Sequence, residues 1–330
     1  MDQAEELDLV AGDGTSSYIG HIPAVPNLCI PATNLEDGPN GVGDGAGGVT
    51  AFPDGESAAA TFDPTLIKQE GSAMGAEFAG KGVNVALGPT TNLVRDPRWG
   101  RTYETYGEDP YLAGQITSAE VTGLQSQDVM AMVKHVAAYD QEQFPNGTNN
   151  ETVSQQALEE LYLAPFQATA EQAAPASMMC SYAVVNGNAS CQNADMQIKG
   201  LDNEANYGGF LTSDWGADYN NVASVAGGMD VGLWHRCASC AGVHWGRVLR
   251  SRFRRNLARV QSLPLRLQWD QASWRSLLRL VVASGRILQA VPAIHQNSAR
   301  ASAPDVPRPR LAKRGLRDGS PKALVARATL

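Results

Sequence analysis

The feature that most constrains the fold of this chain is an alternation of short apolar runs with longer stretches of helical periodicity. Strand-like runs lie at residues 82–88, 129–133, 177–182 and 209–212. Asp63-Pro64 and Asp109-Pro110 each place a capping acid before a proline, which is typical of a helix start, and a further helix is predicted from about residue 153. Strands separated by helices predict an α/β fold whose parallel sheet either stays open or closes into a barrel.

Polar side chains gather where these predicted strands end. Lys134 and His135 follow the second run, Tyr182 closes the third, and Asp214 and Trp215 follow the fourth. In α/β folds, ligands bind at the carboxyl ends of the strands, where side chains from distant parts of the chain meet. The sequence therefore predicts a functional site at this edge of the sheet.

Six short motifs carry a family resemblance. In chain order they are LEDGPNGV (35–42), RDPRWGR (95–101), YGEDPY (106–111), VKH (133–135), MCSY (179–182) and TSDW (212–215). With these motifs, residues 1 to about 233 resemble the N-terminal barrel domain of glycoside hydrolase family 3, the β-glucosidase group. The resemblance implies an incomplete TIM-type (β/α)8 barrel, retaining hydrolysis of terminal β-linked sugars, and no need for a metal or an organic cofactor.

The resemblance implies that Asp214 is the nucleophile. A retaining glycosidase needs an ionised carboxylate to attack the anomeric carbon, with a protonated carboxyl group about 5–5.5 Å away to assist the leaving group. In the family, that second group comes from a loop of the next domain. Trp215 is then a sugar-stacking wall, although core packing also explains it. Taken without the other motifs, the acid of Ser-Asp-Trp would be interpreted as the cap of the next helix.

Four further residues match side chains that bind sugar hydroxyls in the family: Asp37, Arg101, Lys134 and His135. A carboxylate such as Asp37 can accept hydrogen bonds from two neighbouring hydroxyls and so orient the ring, whereas a simple turn residue is the alternative. Adjacent side chains on a regular strand face opposite ways. Lys134 and His135 can therefore reach one ligand only if the backbone is irregular between them.

The resemblance also implies supporting roles around these residues. Glu104 is expected to orient Arg101, and Tyr182 is expected to hydrogen-bond the nucleophile. Met179 is expected either to line the sugar site or to fill the core. Arg98 fits the sugar-contacting position less well than Arg101, and we expect it to form a buried ion pair behind the site.

Two sequence patterns imitate other kinds of site. The glycine-rich run 41–48 resembles a nucleotide-binding loop, but no strand-to-helix context surrounds it, so phosphate binding is not predicted. His235, Cys237, Cys240 and His244 could be drawn as a zinc site. Both histidines lie too close in sequence for a standard finger, so no metal site is predicted.

The compartment of the protein decides the meaning of two other features. Cys180 and Cys191 could form a disulfide in an exported protein, and three sequons, at Asn146, Asn150 and Asn188, matter only in a secreting eukaryote. The first residues show no signal peptide, so localisation is left open, although full-length family members are often secreted or periplasmic. No apolar run approaches the roughly 20 residues that cross a bilayer, so no membrane association is predicted.

The composition changes abruptly after residue 233. Residues 1–233 hold 7 Lys/Arg and 31 Asp/Glu, whereas residues 234–330 hold 19 Lys/Arg, 3 Asp and no Glu. We interpret 234–330 as a poorly ordered, Arg-rich segment that results from a shifted reading frame or a mispredicted exon, unrelated to the barrel domain at 1–233. A basic tail that binds nucleic acid is the other interpretation, because clustered arginines neutralise phosphates.

Together these observations predict a truncated family 3 glycoside hydrolase that acts on a β-glucoside or a related oligosaccharide. A catalytically inactive sugar-binding remnant is the first alternative, and a nucleic-acid-binding protein is the second. Titration with glucose, an aryl-glucoside assay and salt-dependent retention on DNA would separate the three.

Overall fold

Residues 3–12, 16–142 and 150–233 are described by a computed structural model of the chain. They all belong to one compact unit, Met1–Leu280. Several predictions concern residues outside this described part. They are the Arg-rich segment at 234–330 with its poor order, the nucleic-acid-binding tail, the zinc-like pattern and the sequon at Asn146.

A curled six-stranded sheet forms the centre of the described chain. Its strands, which lie side by side in chain order, are β1 (Gly20–Ile22), β2 (Thr33–Asp37), β3 (Val85–Leu87), β4 (Met130–Val136), β6 (Ser177–Cys180) and β9 (Phe210–Thr212). β1 pairs antiparallel with β2, and the other neighbouring pairs are parallel. A separate three-stranded sheet contains β5 (Asn150–Glu151), β7 (Val184–Val185) and β8 (Asn188–Ala189). The predicted α/β fold is confirmed, and the main sheet has the form of a half-barrel.

Helices connect most of the parallel strands. They are α1 (Gln3–Ala11), α2 (Gly55–Ala59), α3 (Pro64–Gly80), α4 (Pro110–Gln125), α5 (Gln155–Ala157), α6 (Ala164–Ala173) and α7 (Asn221–Gly227). The two predicted helix starts are confirmed, because Asp63 and Asp109 each accept hydrogen bonds from two backbone N–H groups of the first turn. None of the helices in the described ranges has the length and apolar character of a membrane span.

The helix predicted from about residue 153 is present but irregular. Ser154 caps α5, and the chain continues as a π-helix over Leu158–Tyr162 before α6 begins. Leu163 donates its N–H to the Leu158 carbonyl at 2.8 Å, one residue further back than in an α-helix. Pro165 follows at once and has no N–H to donate, so the regular ladder is interrupted at this point.

Glycines let α3 and α4 pack in close contact. A Cβ atom on Gly71 would lie 2.5 Å from the Glu120 carbonyl oxygen, and one on Gly123 would lie 2.3 Å from the Lys68 carbonyl oxygen. Any side chain at either position would push the two helices apart. The small residues at positions 71 and 123 thus permit the close packing of α3 and α4.

Alternate strand residues face two apolar cores on opposite sides of the sheet. The inner face presents Leu35, Val85, Leu87, Met132 and Met179, and the outer face presents Ala86, Ala131, Val133, Met178 and Leu211 to the helices. Two residues further along each strand, the side chain faces the same inner side, so Asp37 follows Leu35 and Lys134 follows Met132 on this face. The pleat of β2 and β4 thus directs these two polar residues to the inner side at the carboxyl ends of the strands.

Candidate active site

Asp37 and Lys134 form an ion pair across the carboxyl ends of β2 and β4. The Lys134 Nζ atom lies 2.5 Å from Asp37 Oδ1. The lysine side chain is only 3% exposed, whereas the aspartate side chain is 40% exposed. Burial raises the pKa of Asp37, but the charge and hydrogen bond of Lys134 outweigh it, so the pKa is lowered overall. The pair therefore presents a fixed carboxylate at the rim of the inner face.

The backbone between Lys134 and His135 is irregular, as the sequence requires if both side chains are to reach one site. The Lys134–His135 peptide bond is cis, and the register of β4 against β6 shifts between Lys134 and Val136. The Asn92 side chain holds this backbone, because its Nδ2 donates to the His135 carbonyl and its Oδ1 accepts from the His135 N–H, both at 2.8 Å. His135 Nε2 then lies 3.4 Å from Asp214 Oδ2.

His135 is a neutral imidazole in this environment. Burial lowers its pKa well below the ordinary value, and the nearby charges of Arg101 and Lys134 lower it further. A neutral ring can donate one hydrogen bond and accept another. The contact with Asp214 is therefore a polar contact between a neutral ring and a carboxyl group.

Asp214 follows β9 and is buried. One of its carboxyl oxygens accepts a hydrogen bond from the described residues and the other does not. Its Oδ1 accepts the Trp215 N–H at 2.7 Å, while Oδ2 accepts no hydrogen bond from the described residues. Burial raises the pKa of Asp214 to about 6; the Trp215 N–H, Lys134, Arg101 and Tyr182 all act in the opposite direction. The carboxyl group is thus ionised at neutral pH, with one oxygen available for bonding.

Asp214 is not the cap of the following helix. The N-cap of α7 is Asn220, whose side-chain oxygen accepts the Ala223 N–H at 3.0 Å. The helix-cap interpretation that an isolated Ser-Asp-Trp would favour is therefore wrong.

Glu104 holds the Arg101 guanidinium in an ion pair; that this orients Arg101 toward a sugar stays a prediction. Two guanidinium nitrogens of Arg101 donate to the two Glu104 oxygens at 2.7 and 2.8 Å, and the Thr90 hydroxyl donates to Glu104 Oε2 at 3.2 Å. Burial alone would lower the pKa of Arg101, but Glu104 raises it, so the guanidinium stays protonated. Its charge lowers the pKa of both Asp37 and Asp214.

The expectation of a buried ion pair for Arg98 is wrong. Its side chain is 85% exposed and pairs with Asp96 at 2.5 Å on the surface. The reason is local, because Asp96 also accepts the Arg98 backbone N–H as the cap of a short 3-10 turn. The pair therefore closes on itself two residues apart and does not reach the site.

Met179 and Trp215 both contact the inner core. Met179 is fully buried among the apolar residues of the inner face, and Trp215 is partly buried against the same cluster. Core packing, which was one of the two interpretations offered for each, is therefore observed. Sugar contact by either side chain stays a prediction.

A row of aromatic rings beside the nucleophile was missed by the sequence reasoning. The Tyr139 ring makes edge contacts with His135, Tyr182 and Trp99, with centroid distances of 5.5, 6.1 and 6.2 Å. Burial raises the pKa of Tyr182, and the neighbouring Asp214 raises it further, so the phenol keeps its proton.

Glu142 links this row to the arginine and was also missed. Its Oε2 accepts the Tyr139 hydroxyl at 2.5 Å and lies 3.8 Å from Arg101 Nη1. Tyr139 and Glu142 follow the end of β4, and Asn92 follows the end of β3. The strand-end rule would have found all three if it had been applied to the whole connecting loops.

The arrangement suits a polyhydroxylated ligand. Asp37, Lys134, Arg101 and His135 provide acceptors and donors around an ionised Asp214, which is the mixture that sugar hydroxyls require. Within the described part of the chain, no group of three or more His, Cys, Asp or Glu side chains could hold a metal ion.

Comparison with known proteins shows similarity to a family of sugar-cleaving enzymes. Residues 21–263 match the N-terminal domain of glycosyl hydrolase family 3, so the match extends past residue 233, where the predicted resemblance ends. The domain boundary at 233 remains a prediction. Beta-glucosidase 1 of Saccharomycopsis fibuligera is 39% identical over 249 residues, covering 71% of this chain and 28% of that protein. The beta-glucosidase of Kluyveromyces marxianus is 39% identical over 236 residues, covering 70% and 27%.

Solved structures give the same result for the fold. The crystal structure of the Kluyveromyces marxianus beta-glucosidase in complex with glucose has a TM-score of 0.73 and 32% identity, over 79% of this chain and 33% of that one. Beta-glucosidase 3B from Thermotoga neapolitana in complex with glucose has a TM-score of 0.67 and 30% identity, over 86% and 41%. The chain thus spans about a third of the length of these relatives.

Proposed function

Because this chain belongs to glycosyl hydrolase family 3, we propose that its described residues form the sugar-binding part of a retaining β-glucosidase site, with Asp214 as the nucleophile. The observation that carries this proposal is the state of the Asp214 carboxyl group, which is buried, ionised at neutral pH and left with one oxygen that accepts no hydrogen bond from the described residues. That oxygen lies beside His135 and within the electrostatic reach of Lys134 and Arg101.

The chemistry proceeds by two displacements. Asp214 Oδ2 attacks the anomeric carbon, a C–O bond forms to the enzyme, and the bond to the leaving oxygen breaks as that oxygen takes a proton from a second carboxyl group. Water then gives one proton to the second carboxyl group, now a carboxylate, and attacks the same carbon; the bond to Asp214 breaks and the sugar leaves with its original stereochemistry. We assign no described residue as the second carboxyl group and expect it from a part of the protein outside the described residues.

The surroundings of Asp214 explain why a buried acid can act as a nucleophile here. Burial raises its pKa, whereas the hydrogen bond from the Trp215 N–H and the charges of Lys134 and Arg101 lower it. Asp37, held by Lys134, would accept hydrogen bonds from two neighbouring hydroxyls and fix the ring above the nucleophile.

The proposal can be tested even if the second carboxyl group is missing. A 2-deoxy-2-fluoro-β-glucoside with a dinitrophenolate leaving group needs no acid to assist departure, so the first displacement depends on the nucleophile alone. We expect the 330-residue chain to acquire a covalent fluoroglucosyl group on Asp214, identified by mass spectrometry of its peptide. The labelling rate should rise as the pH increases through about 6, because the carboxylate is the attacking form.

Asp214→Asn is the matched control, since it keeps the oxygen that accepts the Trp215 N–H and removes the charge. Label on another residue, or equal labelling of this variant, would disprove the assignment.

A catalytically inactive sugar-binding protein is the second candidate, because the described residues supply donors and acceptors for sugar hydroxyls but no assigned second carboxyl group. Heat released on titration with glucose, without any label on Asp214, would favour that candidate.

A further inference from the structure

The small three-stranded sheet carries two of the three sequons of the chain. Asn150-Glu151-Thr152 begins with β5, and Asn188-Ala189-Ser190 begins with β8. The side chains of both asparagines are exposed. β5 and β8 lie on either side of β7, so the two exposed amides project from one small surface element.

The fold holds both asparagines without using the atom that would carry a sugar. Asn150 Oδ1 accepts the Gly187 N–H at 3.0 Å, which leaves its Nδ2 nitrogen without a hydrogen-bond partner among the described residues. The Asn188 side chain makes no hydrogen bond within the described ranges. The turn between β7 and β8 is Asn186-Gly187, with φ values of 52° and 83°, the conformation that a two-residue hairpin needs.

The same region contains a disulfide between Cys180 and Cys191, the pair that could form if the protein is exported. Structural disulfides form in oxidising compartments, and in eukaryotes these include the compartment where asparagine glycosylation takes place. Cys191 follows Ser190 directly, so the disulfide and the second sequon share one short stretch of chain.

We propose that Asn150 and Asn188 are N-glycosylation sites of this protein. The donor is an oligosaccharide linked to a lipid through a diphosphate. The asparagine Nδ2 nitrogen bonds to the first sugar's anomeric carbon and loses one proton. The C–O bond to the diphosphate breaks, and the lipid diphosphate leaves. This proposal does not rest on the proposed glycosidase activity.

The two sequons differ in when they can be modified. Thr152, the hydroxyl residue of the first sequon, is exposed in the folded chain. Ser190, the hydroxyl residue of the second, is fully buried; its hydroxyl donates to the Val136 carbonyl and accepts the Ser181 N–H. A transferase that reads the hydroxyl can therefore reach the second sequon only before the chain folds around it. We expect transfer at Asn188 to precede closure of the Cys180–Cys191 disulfide, and transfer at Asn150 to be independent of it.

The test is secretion of the full 330-residue chain from yeast behind a cleavable leader, with and without a thiol reductant during synthesis. Peptide mass spectrometry after endoglycosidase treatment gives the occupancy of each asparagine. We expect sugar on both, with occupancy at Asn188 rising when the reductant delays the disulfide and occupancy at Asn150 unchanged. Thr152→Ala should remove the sugar from Asn150, whereas Thr152→Ser should retain it. Asn188→Gln should remove only the sugar at 188.

Each outcome decides part of the proposal. An asparagine that carries no sugar under either condition is not a site, and sugar on Asn146 alone would overturn both assignments. Incomplete occupancy of Asn188 that does not rise with the reductant would overturn the order of events, whereas complete occupancy under both conditions agrees with it. Because sugar attachment is read by mass, the result is independent of whether Asp214 can be labelled.

Discussion

Two regions of this molecule hold carboxylic acids whose protonation states differ. At the rim of the sheet, Asp37 and Asp214 lie beside Lys134 and Arg101. Between α3 and α4, Glu120 accepts the Tyr106 hydroxyl at 2.5 Å and faces Glu70.

Burial acts in the same direction in both regions, so the neighbouring charges decide the outcome. Burial raises the pKa of Glu120 to about 8; the Tyr106 hydrogen bond opposes this rise and Glu70 adds to it. No cation is among these influences, and Glu120 holds its proton at neutral pH. At the rim, the Trp215 N–H, Lys134 and Arg101 oppose burial and hold the pKa of Asp214 at about 6, and Lys134 and Arg101 lower that of Asp37. Of these acids, the ones that are ionised at neutral pH are those that positive charge accompanies.

The largest effect is expected from removing the acid of the rim ion pair. Asp37→Ala leaves the Lys134 ammonium, which is 3% exposed, without its partner, so we expect a loss of about 3–5 kcal/mol in the free energy of unfolding. Urea denaturation at pH 7 measures this change.

The matched variant is Lys134→Met. It leaves a carboxylate that is 40% exposed and can be hydrated, so the loss should be no more than about 1–2 kcal/mol. Equal losses for the two variants would show that the pair is not buried asymmetrically.

The next largest effect on stability is expected from Glu120, the acid between α3 and α4. The pKa of Glu120 is raised from 4.5 to about 8, so the folded chain binds an extra proton between these pH values and loses stability as the pH rises through this window. Glu120→Gln cannot ionise. Its stability advantage over the wild type should grow from pH 4.5 and reach on the order of 2–4 kcal/mol near pH 8. A pH series of urea denaturation curves tests this, and an advantage that shrinks with pH would contradict it.

A smaller effect of the same sign is expected at the nucleophile. The pKa of Asp214 is raised from 3.8 to about 6, so the stability advantage of Asp214→Asn should grow only between these pH values and stay constant above them. We expect on the order of 1–3 kcal/mol at pH 7, measured in the same series. If the stability advantage of Asp214→Asn kept growing up to pH 8, the cations at the rim would not be lowering the pKa of Asp214.

The smallest effect is expected from Glu142→Gln. The substitution keeps an acceptor for the Tyr139 hydroxyl and removes a charge 3.8 Å from Arg101, at a side chain that is 37% exposed. Stability should change by less than about 0.5 kcal/mol. Glu104→Gln is the comparison, because Glu104 is almost fully buried and binds Arg101 with both oxygens, so its loss of stability should be clearly larger. Similar losses of stability for the two variants would contradict this difference between the exposed and the buried glutamate.

Much of the fold could be predicted because its signals are local. The acid-proline starts of α3 and α4 depend on capping within one turn, and the apolar runs of β3, β4, β6 and β9 depend on burial on both faces. The π-helix before α6 could not be predicted, since it depends on how Pro165 interrupts the ladder of hydrogen bonds. The sequence could predict only in part which of Arg98 and Arg101 is buried. Arg101 is the buried one because its partner, Glu104, is buried, whereas Arg98 pairs with Asp96 on the surface.

By itself, the sequence determined the alternation of strands and helices, the family and several of the polar residues at the strand ends, because each of these depends on a short contiguous stretch of residues. The tertiary structure decided which of those residues meet. Asp37 and Lys134 are 97 positions apart and form a pair only because β2 and β4 end at the same edge of the sheet. It also decided the ionisation of each buried acid, since a pKa depends on the charges that folding brings within a few ångströms, wherever they lie in the chain.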